Sequence, residues 1–140
     1  MHNIVFENNT SCEVDLELVE TITTDIVNKE IELILTSNDE IHEINLTTRG
    51  KDKPTDVLSF PYEDMPNVPL GSIVISSQFI EEYSKEYNHT FEEEFALLYI
   101  HGLLHLMGFD HEVDNGEHRQ KEEELIKKYK LPDSLIVRNS

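Results

Sequence analysis

Two histidines four residues apart, His101 and His105, lie in an apolar stretch and are followed by a third, His111. On an α-helix, residues four apart project from the same face, so both rings could bind one metal ion. Gly108 lies between the second and third histidines and can adopt the left-handed conformation that ends a helix, which would bring His111 to the same ion. Three nitrogen ligands plus a water molecule are the pattern of a catalytic Zn²⁺ site, so we predict one such ion.

Chance does not readily produce this pattern. With 7 histidines in 140 residues, a pair spaced four apart is expected about 0.35 times, and the pattern with the third histidine and the glycine below about 0.001 times. The alternative is that each imidazole is a core histidine, hydrogen-bonded to the backbone. We favour metal binding for the set of three.

The residue after the first histidine bears on the reaction. Zinc peptidases with an H-E-x-x-H helix carry their general base there, whereas this chain has Gly102. The spacing H-x3-H-x2-G-x2-H does match that of the metzincin proteases, so a zinc peptidase or amidase stays an alternative. Asp110 and Glu112 flank His111 and could orient its ring or, as the second possibility, act as the base.

A basic segment points to a phosphodiester substrate. Arg49, Lys51 and Lys53 lie within five residues. A guanidinium can bind two phosphate oxygens at once, and zinc can polarise a phosphoryl oxygen. We therefore predict Arg49 as a catalytic residue. The alternative is a solvated loop whose cations face the acidic remainder of the molecule.

Length and composition set the class of protein. A chain of 140 residues suits one domain, and we expect residues 1–140 to form a single metal-dependent hydrolase domain. The single cysteine, Cys12, fits a reducing compartment, and no secretory or membrane-spanning segment is evident, so we expect a cytoplasmic protein with no membrane partner. The net charge of −18 argues against a nucleic-acid ligand without excluding one, because the lysines and arginines cluster locally.

The hydrophobic periodicity predicts an α/β (α+β) fold in the order β-α-β-α-β-β-α-α-α. We expect one domain with a mixed, mostly parallel sheet of about four strands, one of them antiparallel, flanked by about five helices. The predicted strands are 4–6, 30–36, 56–60 and 71–76, and the predicted helices are 14–29, 37–47, 77–88, 90–107 and 117–130. Ser37 and Thr90 each begin a predicted capping box, and the last helix reads as a charged surface helix.

Two segments resemble the YbeY family. They are His-Gly-Leu-Leu-His-Leu-Met-Gly-Phe-Asp-His at 101–111 and Arg-Gly-Lys-Asp-Lys-Pro-Thr-Asp-Val-Leu-Ser-Phe-Pro at 49–61. The resemblance implies a single-strand-specific endoribonuclease in ribosomal RNA maturation at the 3′ end of the small-subunit RNA and in ribosome quality control. It also implies zinc on His101, His105 and His111, and a functional arginine at Arg49. One departure is Ser72, where family members commonly carry aspartate.

The expected partners are single-stranded or ribosomal RNA, with a small-subunit ribosomal protein and an assembly GTPase as possible protein partners. A further alternative is a ribosome-assembly factor whose metal is mainly structural, motivated by the acidic composition. It would be distinguished from the nuclease by normal assembly in an Arg49 variant that lacks nuclease activity.

Overall fold

The computed structural model describes residues 3–110 and 113–132. Within them, four strands and five helices follow the predicted order. The strands are β1 (Ile4–Asn8), β2 (Ile31–Thr36), β3 (Val57–Pro61) and β4 (Gly71–Ser76); the helices are α1 (Glu17–Ile26), α2 (Asn38–Arg49), α3 (Ser77–Glu86), α4 (Phe91–Leu106) and α5 (Glu117–Lys128).

The strands form one mixed sheet in the order β1-β2-β4-β3. The β1–β2 and β2–β4 pairs are parallel, and β3 runs antiparallel to β4. Every residue of β4 is buried, as expected for a central strand covered on both faces. The predicted mixed α/β sheet with one antiparallel strand is therefore confirmed.

Helix α4 lies at the centre of the core. It contacts β3 and β4 of the sheet and also α1, α3 and α5. From Glu94 to Leu106 every residue is buried except His101 and His105. A helix that is apolar on every side must be covered on every side. Within this stretch only the two histidines are partly exposed.

The two predicted capping boxes differ in the structure. At Thr90 both halves are present, because its hydroxyl accepts from the Glu93 backbone N–H and the Glu93 side chain accepts from the Thr90 N–H. At Ser37 the hydroxyl accepts from the Glu40 N–H, but the Glu40 carboxylate accepts from the Thr36 hydroxyl at 2.7 Å. Ser37 is therefore an N-cap as predicted, but the predicted capping box at Ser37 was wrong, because the Glu40 carboxylate binds the hydroxyl of Thr36 at the end of β2.

The observed ends of α1 differ from the predicted ones, and local hydrogen bonds explain the difference. Helix α1 was predicted over 14–29 and spans Glu17–Ile26. Its start follows Asp15, whose carboxylate accepts from the Glu17 N–H, and Val27 is already extended. Among the residues that the structure describes, none of the helices has the length and apolar character needed to cross a membrane.

Candidate metal centre

His101 and His105 form the first part of the site. Both project from the same side of α4, and their ring centroids are 4.9 Å apart with the planes nearly perpendicular. The i, i+4 spacing therefore brings the two rings together as helix geometry requires.

A third imidazole reaches this pair from α5. The ring centroid of His118 lies 4.8 Å from that of His101 and 4.8 Å from that of His105. One candidate ligand atom from each ring lies within 4.8 Å of the others. The side chain of His118 is fully buried, so it lies on the inner side of the group.

Sequence reasoning missed His118 because it placed α5 on the surface. The signal was present in the spacing of His118, Glu122 and Leu125, which share one face of a helix and are all buried. The charged residues of α5 hid this face, since most of them point to solvent.

Glu122 connects α5 to the first histidine. Its carboxylate lies 3.0 Å from His101 Nδ1 and 3.5 Å from His118 Nε2. A carboxylate can only accept, so His101 Nδ1 carries the proton and donates it. The Nε2 atom of His101 then keeps its lone pair for another partner, which is the arrangement found around metal-bound histidines.

These residues fit a zinc ion. Imidazole nitrogens are among the preferred ligands of Zn²⁺, and the buried acceptor behind His101 fixes the tautomer that a ligand needs. The described residues supply three such rings within reach of one another. The geometry supports a metal site of this kind and leaves the identity of the metal open.

The predicted turn after α4 is present. Gly108 has a positive φ of 100°, and its N–H donates to the carbonyl of His105 at 3.0 Å. The Phe109 N–H donates to the carbonyl of Leu104, also at 3.0 Å. His111 and Glu112, predicted as the third ligand and its neighbour, lie outside the described residues, so both assignments stay predictions.

Gly102 brings α4 close to the sheet. A Cβ atom at this position would lie 3.0 Å from Ser59 Oγ, 3.1 Å from Ile73 Cγ2 and 3.3 Å from Val57 Cγ2. The Ser59 hydroxyl also donates to the Gly102 carbonyl at 3.2 Å. The position that carries the catalytic glutamate in H-E-x-x-H peptidases therefore faces strands here, away from open space.

Asp56 is a partly buried carboxyl group that interacts electrostatically with His101. It precedes β3, and its carboxylate accepts from the Val57 N–H at 2.8 Å. Desolvation raises the pKa of Asp56, while the Val57 hydrogen bond and the electrostatic influence of His101 oppose the rise. Ser72, the departure from the resemblance, is buried in β4 opposite Phe60.

Arg49 lies in the last turn of α2, where it is exposed. Among the described residues, no hydrogen bond or ion pair joins it to the histidine group. The chain that follows it is held against α2, because the buried side-chain amide of Asn45 donates to the Lys53 carbonyl at 2.9 Å and the backbone carbonyl of Asn45 accepts from the Lys51 N–H at 3.3 Å. The side chains of Lys51 and Lys53 remain exposed.

A family model described as Endoribonuclease YbeY matches residues 5–130. A relative from Aliarcobacter butzleri with the name Endoribonuclease YbeY is 61% identical over 141 residues, covering 98% of this chain and 99% of its own. A relative from Sulfurimonas denitrificans with the same name is 59% identical over 136 residues, covering 97% and 98%.

A solved structure has the same fold. The solution structure of a protein from Thermotoga maritima superposes with a TM-score of 0.63 at 35% identity, covering 90% of this chain and 88% of that one. With a family model spanning nearly the whole sequence and relatives of this similarity over their full length, the chain belongs to the Endoribonuclease YbeY family.

Proposed function

We propose that this chain is a zinc-dependent, single-strand-specific endoribonuclease that acts in ribosomal RNA maturation at the small-subunit 3′ end. The observation that carries the proposal is the convergence of imidazoles from α4 and α5 on one point, in a chain whose named relatives are endoribonucleases. In this proposal residues 1–140 form one metal-dependent hydrolase domain that works on ribosomal RNA in the cytoplasm.

We assign the metal to His101, His105 and His111, with His118 as an additional ring that the fold brings next to His101 and His105. When bound there, zinc would supply a Lewis acid and would lower the pKa of a coordinated water toward about 7. Glu122 holds the proton on Nδ1 of His101, which leaves Nε2 directed away from the carboxylate.

Arg49 and the two lysines bind the RNA backbone in this mechanism. The guanidinium binds two phosphate oxygens, and Lys51 and Lys53 add attraction without reading sequence. Anchoring by Asn45 supports this role, because a backbone held against α2 presents the cations at a lower entropic cost than a free loop would.

The principal test is cleavage of a single-stranded RNA by the full chain, with a duplex of the same sequence as the substrate control. We expect Arg49→Ala to lower kcat by about 100-fold or more, the size of effect seen when a transition-state donor is lost. Exposed Lys85, on α3, provides the control variant Lys85→Ala with unchanged activity. Full cleavage by metal-free His105→Ala protein would exclude the mechanism.

RNA binding can be measured separately from cleavage in chelator-treated protein. Each phosphate contact releases counterions, so it adds to the slope of log affinity against log salt concentration. Arg49→Ala should reduce this slope by the contribution of about one contact. An unchanged slope would mean that Arg49 does not bind phosphate.

Metal stoichiometry identifies the third ligand. We expect His111→Ala to lose the tightly bound ion, with zinc content measured by elemental analysis. If His111→Ala keeps the ion and His118→Ala loses it, the third ligand is His118 of α5.

The same preparations address the alternatives. A peptidase or amidase predicts chelator-sensitive turnover of a peptide library, and we expect none. An assembly factor with a structural metal predicts that Arg49→Ala restores ribosome assembly to a deletion strain. We expect no restoration, and we expect any small-subunit ribosomal protein or assembly GTPase captured by the wild type to bind this variant as well.

A further inference from the structure

We propose that Glu122 is the positioning residue of the metal centre and that α5 is thereby part of the site. The inference rests on the metal site of the proposed function and adds to it a residue outside the histidine motif. In this role Glu122 keeps His101 in the tautomer with Nδ1 protonated, so that Nε2 is available to an ion before any ion binds.

The burial of the three side chains supports a specific interaction. Their exposed fractions are 1% for Glu122, 12% for His101 and 0% for His118. A buried carboxylate is costly unless it accepts hydrogen bonds. Glu122 accepts one from His101 Nδ1 at 3.0 Å and lies 3.5 Å from His118 Nε2. Both of these contacts run toward the histidine group.

Hydrogen bonds at the start of α5 fix the positions of His118 and Glu122. Asp114 accepts from the N–H of Gly116 at 2.8 Å and from the N–H of His118 at 2.9 Å. These bonds fix the first turn of α5, and Glu122 follows one helical turn after His118 on the same face. The helix backbone therefore fixes the position of the carboxylate.

A merely structural role for Glu122 would predict something different. A glutamate that only joined α5 to α4 would affect stability and leave the tautomer of His101 undetermined. Carboxylates behind metal-bound histidines, by contrast, typically contribute 10–100-fold to metal affinity. The tautomer and the affinity are therefore the readouts that separate the two roles.

The first experiment uses the wild-type chain without metal. Long-range ¹H–¹⁵N correlation spectra of the imidazole rings, recorded above the ordinary imidazole pKa, should show His101 protonated at Nδ1. Protonation at Nε2 would overturn the proposal whether or not any variant folds.

The second experiment compares zinc affinity, by competition with a chelator, in three variants. Glu122→Met removes the acceptor but keeps the length of the side chain, and we expect about 10–100-fold weaker binding. Glu122→Gln retains an acceptor oxygen and should recover part of that loss. Glu124→Met changes an exposed glutamate on the same helix and should bind like wild type.

Spectra of the Co²⁺-substituted proteins complete the test. We expect Glu122→Met to alter the ligand-field bands, because the His101 ring is no longer held. Wild-type affinity and spectrum in folded Glu122→Met would refute the positioning role. Wild-type protein that binds zinc as predicted yet never cleaves RNA would refute the proposed function and leave this inference standing.

Discussion

Gly102 lacks a side chain at the point where α4 lies nearest to the sheet. Ser59, Ile73 and Val57 leave no room for a Cβ at ordinary contact distance. The glycine therefore serves packing, and its position explains why a peptidase-type glutamate could not be placed there. Chemistry at the histidines has to take its other groups from elsewhere in the chain.

We predict that Gly102→Ala lowers the free energy of unfolding by about 1–2 kcal/mol. Overpacking costs about 1–3 kcal/mol, and the better helix propensity of alanine returns up to about 1 kcal/mol. Gly102→Glu should cost more, because it also buries a charge. Urea unfolding measures both.

A double-mutant cycle provides the control for this contact. Ser59→Ala removes the atom 3.0 Å from the new Cβ and should restore part of the loss in Gly102→Ala. Strictly additive effects, or a Gly102→Glu protein as stable as wild type, would show that the contact is not tight.

At the scale of elements, the start of α4 matters most because this helix carries two of the histidines. The Thr90 cap satisfies donors in both directions, whereas the Ser37 cap of α2 satisfies one at 3.3 Å. Unpaired N–H groups in a first turn destabilise a helix, so the two caps differ in what they contribute.

We therefore predict that Thr90→Ala lowers the free energy of unfolding by about 1 kcal/mol or slightly more. Ser37→Ala is the matched control and should cost less, because Glu40 keeps its bond to Thr36. Thermal and urea unfolding of both variants give the comparison. Equal losses would mean that the reciprocal bond at Thr90 adds nothing.

Helix α5 is tied to α1 at its far end. The Tyr129 hydroxyl donates to Asp25, and Lys128 Nζ lies 3.6 Å from the same carboxylate oxygen. The Tyr129 hydrogen bond and, less strongly, the charge of Lys128 hold the pKa of Asp25 below its ordinary value of 3.8. Holding α5 in place also holds Glu122 and His118 against α4.

The lowered pKa predicts a pH dependence of stability. A carboxyl group with a depressed folded-state pKa stabilises the protein above its unfolded value and loses that effect as the pH falls through the folded value. Asp25→Asn should thus be less stable than wild type at pH 7, and the difference in stability should shrink as the pH is lowered to 3. Tyr129→Phe removes the hydrogen bond to Asp25 and should likewise lower the stability more at pH 7 than at pH 3.

Urea unfolding at the two pH values measures the difference. A difference between wild type and Asp25→Asn that stays the same at pH 3 as at pH 7 would show that packing, and not charge, holds α5 to α1.

At the scale of the whole molecule, charge is the dominant feature. The chain has 29 acidic residues against 11 lysines and arginines, for a net charge of −18. Self-repulsion of this size destabilises the compact state. The exposed cations after α2 form a local exception, which is where the proposed RNA contact lies.

We predict that added salt raises the free energy of unfolding. Going from about 0.01 M to about 0.1 M NaCl shortens the Debye length from about 30 Å to about 10 Å, which screens acid–acid repulsion. Urea unfolding of metal-free protein at both concentrations tests this. A fall in stability would show that favourable ion pairs outweigh the repulsion. RNA affinity should fall over the same range of salt concentration, since salt weakens phosphate contacts.

The order of elements, the mixed sheet and the adjacency of His101 and His105 were determined by local sequence. Periods of two and near four residues report which face of a strand or helix is buried, and an i, i+4 pair is adjacent on any helix. The family, too, was evident from two linear motifs. The spacing of the two histidines and the order of the elements can be read without knowing how distant parts of the chain meet, and the element order in turn indicated the type of sheet.

Only the tertiary structure decided that His118 and Glu122 belong to the site. They lie on a different helix from the motif, and the charged surface of α5 concealed their inward face. The close contact at Gly102 and the competition for Glu40 also needed the packed neighbours to be known. Local patterns specify which side of a helix is buried, whereas the partner that it meets depends on long-range packing that no window of sequence contains.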